Sequence, residues 1–92
     1  MAAARLELAI LTPERAVFDG KVEYVQVPGS EGYLGVLAGH AALVTELAAG
    51  TLTVREPGGD ERQWQVSGGF FEVADDRATV LADEVSGDEA EA

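Results

Sequence analysis

Residues 29–50 read GSEGYLGVLAGHAALVTELAAG, and this stretch has the most distinctive spacing in the chain. Glycine recurs at every third position at its start (Gly29, Gly32, Gly35), a Gly39-His40 pair and an apolar run follow, and Gly50 ends it. Glycine inside an ordered segment marks a backbone position that needs a positive φ or that lies close to another surface. We therefore expect either a structural corner or a contact surface here.

Outward from this stretch, apolar and polar residues alternate along most of the chain. A period of two is typical of strands that bury one face. The apolar members of the alternating runs are Leu6, Leu8, Ile10, Val25, Val27, Leu52, Val54, Trp64, Val66, Ala78, Val80 and Ala82. Turn signals between the runs are Thr12-Pro13, Asp19-Gly20, Pro57-Gly58-Gly59-Asp60 and Asp75-Asp76. Short strands with a turn roughly every ten residues predict an all-β sandwich or barrel, mostly antiparallel.

One segment is ambiguous, because 41–49 is rich in Ala and Leu and has helical propensity. It is short, it is bracketed by glycines, and its neighbours are all strands. We expect it to be extended.

Composition limits the possible functions. The 92 residues make one small domain with 47% apolar residues and no cysteine, which excludes a disulfide scaffold and a thiolate metal site. The formal net charge is −11, from 17 acids against 6 bases, so nucleic acid and anionic lipid would be repelled. No apolar run approaches the roughly 20 residues that span a bilayer, and we expect no direct membrane insertion.

No group of residues predicts catalysis, a cofactor or a metal. The glycine stretch lacks the Gly-Lys-Ser/Thr of a phosphate-binding loop and the glycine spacing of a dinucleotide site. His40 is the only histidine and has no companion ligands in the sequence, so a structural or interface role is expected. Ser67-Gly68-Gly69 offers a hydroxyl without the Gly-x-Ser-x-Gly elbow of a hydrolase. We predict a protein that is not an enzyme and has no small-molecule ligand.

Lys21 supports an alternative. It is the only lysine, and it follows Asp19-Gly20, a dipeptide that is typical of hairpins. Biotinyl and lipoyl carrier domains are small, acidic and all-β, and they present a modified lysine on a hairpin. The residues that flank Lys21 do not match the carriers' usual surroundings. A free-standing protein-binding module is a second alternative.

Several ordered motifs resemble the amino-terminal β-sandwich domain of the epsilon subunit of F-type ATP synthases. They are Thr12-Pro13-Glu14, Val17-Phe18-Asp19-Gly20, Val25-Gln26-Val27-Pro28-Gly29, Glu31-Gly32-Tyr33-Leu34-Gly35-Val36-Leu37-Ala38-Gly39-His40-Ala41, Ser67-Gly68-Gly69-Phe70-Phe71-Glu72-Val73 and Val80-Leu81-Ala82-Asp83. The family usually has proline where this chain has Ala38 and often where it has Ala42, and its residue at the position of Tyr33 is often polar or acidic.

The resemblance implies a β-sandwich of two antiparallel sheets with about ten short strands. It places the sandwich domain at 1–83 and an acidic flexible tail at 84–92. It implies a non-catalytic central-stalk subunit that binds the gamma subunit along one flank and the membrane c-ring at one end. Such a subunit couples proton translocation to ATP synthesis and lies peripherally on the cytoplasmic face of the cell membrane.

The resemblance also suggests the interface residues, which are Glu31, Gly32, Tyr33, Leu34 and Gly35 facing the c-ring, and His40 at a corner. The family continues into a helical hairpin that inhibits ATP hydrolysis and, in some members, binds ATP. Nine residues follow Asp83 in this sequence. We therefore expect the inhibitory arm to be missing.

Overall fold

The computed structural model describes residues 5–87, and within them every regular element is a strand. The strands are β1 (Leu6–Leu11), β2 (Ala16–Val22), β3 (Tyr24–Gly29), β4 (Gly32–Leu37), β5 (Leu43–Glu46), β6 (Gly50–Arg55), β7 (Glu61–Ala74) and β8 (Arg77–Ser86). The prediction of an all-β fold is confirmed. The ambiguous segment 41–49 contains β5 and is not helical.

The strands are joined in the order β2-β1-β8-β7-β6-β3-β4, and β5 pairs with β7. The long strand β7 joins the two halves of the sandwich, because its first half pairs with β6 and its second half pairs with β5. All pairs are antiparallel except β1 with β8, which are parallel. Sequential hairpins force antiparallel pairing. No turn joins the first strand to the last, so their direction is not fixed in that way.

The alternating apolar residues form one core. The buried residues that the alternation predicted include Leu6, Leu8 and Ile10 on β1, Val25 and Val27 on β3, Leu52 and Val54 on β6, Trp64 and Val66 on β7, and Ala78, Val80 and Ala82 on β8. Trp64 and Phe71 are the largest fully buried side chains. Burying a side chain of this size stabilises the fold by roughly 1.5–3 kcal/mol.

The sandwich has eight strands in the described residues, fewer than the predicted ten. The difference comes from the two long strands, since β7 with 14 residues and β8 with 10 would each count as two short strands, and β7 continues through Ser67-Gly68-Gly69. Gly68 and Gly69 have φ values of +70° and +109°, so the strand changes direction there without ending.

The prediction of a hairpin at Asp19-Gly20 is wrong. Both residues lie inside β2, where Asp19 pairs with Ala9 and Gly20 with Leu8. The chain turns earlier, at Thr12, whose Oγ1 accepts hydrogen bonds from the backbone N–H groups of Glu14 and Arg15 (both 3.2 Å). A side chain that satisfies two turn donors makes Thr12-Pro13 the stronger turn signal.

The end of the sandwich also lies beyond the predicted boundary at residue 83. Strand β8 continues to Ser86, and Val85 pairs with Val66 and packs partly against the core. Residues 84–86 therefore belong to a strand. Residues 88–92 of the predicted tail lie outside the described residues.

Candidate interface at the β3–β4 hairpin

The predicted contact residues 31–35 lie on the hairpin formed by β3 and β4. Gly29 pairs with Gly32, and Ser30 and Glu31 form the turn between them. Gly32 has a φ of +129°, and a Cβ at this position would meet nothing within 4 Å. The glycine is needed for the turn conformation, and the surface around it is open.

Side chains alternate along β4, so the predicted residues do not share one face. Tyr33 and Gly35 are exposed, whereas Leu34 is half-buried and packs against the core. The structure therefore brings Glu31, Gly32, Tyr33 and Gly35 together on the surface. Leu34 lies on the inner face of the strand.

Tyr33 is the large side chain of this surface, with 57% of it exposed. Its hydroxyl accepts a hydrogen bond of 3.1 Å from the backbone N–H of Thr51. A Cβ at Gly50 would lie 2.8 Å from the same hydroxyl oxygen and 2.8 Å from Cβ of Pro28. Gly50 thus makes room for the tyrosine ring, which is fixed in place although it is exposed.

Contacts within the chain explain why residue 35 is a glycine. A Cβ there would lie 2.6 Å from the hydroxyl oxygen of Tyr24, which donates a hydrogen bond of 3.0 Å to Oε1 of Gln26. The Arg55 guanidinium carbon lies 5.5 Å from the centre of the same ring, a cation–π contact. The third glycine of the opening stretch therefore accommodates Tyr24 on the outer face of the sheet.

His40 lies at the other end of β4. Its Nδ1 is 2.7 Å from the carbonyl oxygen of Ala41, and its backbone N–H donates to the carbonyl of Leu37 (3.2 Å). The N–H of Gly39 donates to Oδ1 of Asp76 (2.7 Å), which ties this corner to the β7–β8 turn. A strand of this length spans roughly 17–20 Å. The structure therefore separates His40 from the Glu31–Gly35 surface.

The described residues contain no group of three or more His, Cys, Asp or Glu side chains that could hold a metal ion. Lys21 lies inside β2, where it pairs with Glu7, and its side chain is exposed. That position removes the hairpin on which the carrier alternative depended. In residues 5–87, no helix is long and apolar enough to cross a bilayer.

Sequence reasoning missed one surface feature. Phe70 and Leu81 pair across β7 and β8 and are 50% and 49% exposed, and they line a groove of about 580 Å³ together with Leu11 and Pro13. The alternation contained the signal, because Phe70 adjoins the buried Phe71 and must face outwards. Glu46 and Asp83 also line the groove.

Residues 5–87 thus form an all-β sandwich domain with exposed turns and exposed apolar side chains. The family model for the β-sandwich domain of the ATP synthase delta/epsilon chain matches residues 5–87. The chain belongs to this family.

Similar proteins agree with that assignment. The chain is 53% identical to the ATP synthase epsilon chain of Solibacter usitatus over 78 residues, which are 85% of this chain and 58% of that protein. It is 41% identical to the ATP synthase epsilon chain of Caulobacter vibrioides, over 87% of this chain and 92% of that protein. The chain spans about three-fifths of the length of the first three relatives that it matches.

Solved structures show the same fold. The chain superposes with a TM-score of 0.87 on a chain of the Euglena gracilis mitochondrial ATP synthase structure that contains OSCP, F1 and the c-ring. The identity is 30%, and the match covers 95% of this chain and 55% of that one. A chain of the Tetrahymena thermophila central stalk and c-ring structure has a TM-score of 0.76 at 15% identity, which supports the fold alone.

Proposed function

We propose that the chain is a non-catalytic rotor subunit of an F-type ATP synthase, which links the gamma subunit to the c-ring. The observation that carries the proposal is the family match over residues 5–87, together with 53% identity to a protein named ATP synthase epsilon chain. In this role the subunit couples proton translocation to ATP synthesis. It lies peripherally at the cytoplasmic face of the cell membrane through the complex.

The physical properties of the domain suit this role. Torque transmission needs a stiff body, and a sandwich whose strands form one hydrogen-bonded network around one core resists deformation. The proposed ring contact is the hairpin surface at Glu31, Gly32, Tyr33 and Gly35, where the turn is exposed and Tyr33 is held by Thr51. His40 has a structural role at the corner, where it bonds the backbone next to it.

A paired substitution tests the ring contact. Gly32 is a poor site for a bulky probe, because any side chain at a φ of +129° strains the turn. Glu31 is exposed in the turn and has a negative φ, so Glu31→Trp is the better probe. Asp60→Trp is the matched control, because Asp60 is also an exposed acid beside a turn. Arg55 at the end of β6 pairs with Tyr24 at the start of β3, whereas Glu31 follows the end of β3. Asp60, which follows Arg55, therefore lies at the opposite end of these strands from Glu31.

We expect Glu31→Trp to lower ATP-driven proton pumping in membranes while the purified domain stays folded, and Asp60→Trp to leave pumping unchanged. Equal pumping by both variants would count against the ring contact at the hairpin. Affinity capture of the tagged chain from its own cells tests the wider proposal, since gamma and c-ring subunits should be recovered with it. Recovery of neither subunit would contradict it.

A further inference from the structure

The outer edge of β4 stands out because it lacks the features that protect the other edges. In the strand order of residues 5–87, β4 and β2 lie at the two ends, and β5 pairs only with β7. Strand β2 carries Asp19 and Lys21 and has a register shift against β1, and β5 has only four residues and ends in a glutamate. Charges, irregularities and short length are the usual protections of an edge against pairing. Strand β4, GYLGVL, has six residues, no charge and a regular register.

Pro28 identifies which backbone groups of β4 point away from the sheet. It pairs with Tyr33 but has no N–H, and its carbonyl accepts a hydrogen bond from Ala48 on the opposite side of β3 (2.8 Å). Pro28 and Tyr33 are therefore not a hydrogen-bonded pair. Such pairs alternate along antiparallel strands, so Leu34 and Val36 bond to β3, and Tyr33, Gly35 and Leu37 direct their backbone groups to the free edge. The Leu37 carbonyl is used by the His40 N–H.

The side chains on this edge favour an extended apolar occupant. Tyr33 and Leu37 are 57% and 59% exposed, and Gly35 between them adds no bulk at the edge. At the turn end, the Ser30 N–H donates to the Glu46 carbonyl (2.9 Å), and the Glu31 side chain is exposed. The Glu31 carboxylate favours a basic residue at one end of the occupant.

We propose that the free edge of β4 binds an extended segment of the gamma subunit as an added strand, bonded to the backbone of Tyr33, Gly35 and Leu37. The proposal rests on the proposed function. The edge runs along a flank of the sandwich and adjoins the surface proposed for the ring. The backbone groups of Tyr33 and Gly35 face the edge, whereas the ring would contact the exposed turn and the exposed side chain of Tyr33. The segment would carry apolar residues at alternate positions over Tyr33 and Leu37 and a lysine or arginine beside Glu31.

Amide hydrogen exchange resolved to single residues tests this inference on the full chain, alone and bound to the catalytic head with its gamma subunit but without the c-ring. In the free chain, the amides of Tyr33, Gly35 and Leu37 should exchange fast. In the complex they should slow by roughly tenfold or more. The amides of Leu34 and Val36, which bond to β3, should be slow in both states and serve as the internal control.

Each alternative outcome is distinguishable. Failure of the chain to bind the head would overturn this inference together with the proposed function. Binding that leaves the three edge amides fast would overturn the inference alone. Slow exchange of these amides only when the c-ring is present would also overturn it. So would slow exchange in a concentrated solution of the free chain, because the edge would then pair with a second copy of the chain.

A substitution pair adds a second readout. Leu37→Pro removes an edge donor without removing a bond to β3, and Leu37→Ala removes the same side chain but keeps the donor. We expect Leu37→Pro to bind the head about tenfold more weakly than Leu37→Ala. Equal binding by the two folded variants would overturn the inference. If Leu37→Pro does not fold, the exchange experiment on the unmodified chain still decides.

Discussion

Gly69→Ala should be among the most damaging small substitutions in this chain. A Cβ at Gly69 would lie 1.9 Å from the carbonyl oxygen of Leu81 and 2.9 Å from Cα of Ala82. Both atoms belong to the backbone of β8, which pairs with β7 at this point, so no flexible side chain can move aside. The strands would have to separate by about 1 Å, because real Cβ contacts essentially never fall below 3.0 Å. The φ of +109° adds about 1–3 kcal/mol of strain.

Gly58→Ala is the matched control, because Gly58 has a similar φ of +99° but a Cβ there would meet nothing within 4 Å. We expect Gly58→Ala to lower the free energy of unfolding by about 1–3 kcal/mol and Gly69→Ala by at least about 2 kcal/mol more. A domain of this size has roughly 5–14 kcal/mol in total. Urea unfolding followed by Trp64 fluorescence measures both variants. Losses that agree within about 0.5 kcal/mol would refute the steric reasoning.

Two further predictions concern the glycine stretch. Gly35→Ala should destabilise the domain by about 0.5–1.5 kcal/mol in the unmodified chain, because the added methyl group displaces the end of the Tyr24 side chain and disturbs its hydrogen bond to Gln26. The loss should be much smaller in a Tyr24→Ala background, and equal losses in a double-mutant cycle would contradict this. His40→Gln should change the free energy of unfolding by less than about 1 kcal/mol and leave proton pumping intact, because the hydrogen bonds of His40 are to nearby backbone. Stoichiometric zinc binding that this substitution abolishes would overturn the structural role.

The core was predictable from the sequence because alternation is a local property. Residues such as Leu6, Val25 and Trp64 occupy every second position of their strands, and one register buries them all. The Asp75-Asp76 turn was predictable because its signal is also local. Its φ values of +53° and +60° are tolerated by aspartate better than by most residues.

Features that depend on distant partners were not predictable in this way. The dipeptide Asp19-Gly20 is typical of a turn, but its pairing with β1 determines its conformation. The parallel pairing of β1 with β8 leaves no local signal. At the candidate interface, the even glycine spacing correctly indicated close approach and positive φ. It could not reveal that Gly35 accommodates Tyr24, which lies eleven positions earlier in the chain.

The role proposed for the chain is coupling between the gamma subunit and the c-ring. Its most direct test is ATP-driven proton pumping in inverted membrane vesicles whose synthase has been stripped of its own delta/epsilon-type subunit. We predict that the purified chain restores pumping, and that Glu31→Trp restores less than Asp60→Trp. If the folded chain restores no pumping in vesicles that recover with their original subunit, the proposed coupling role is wrong.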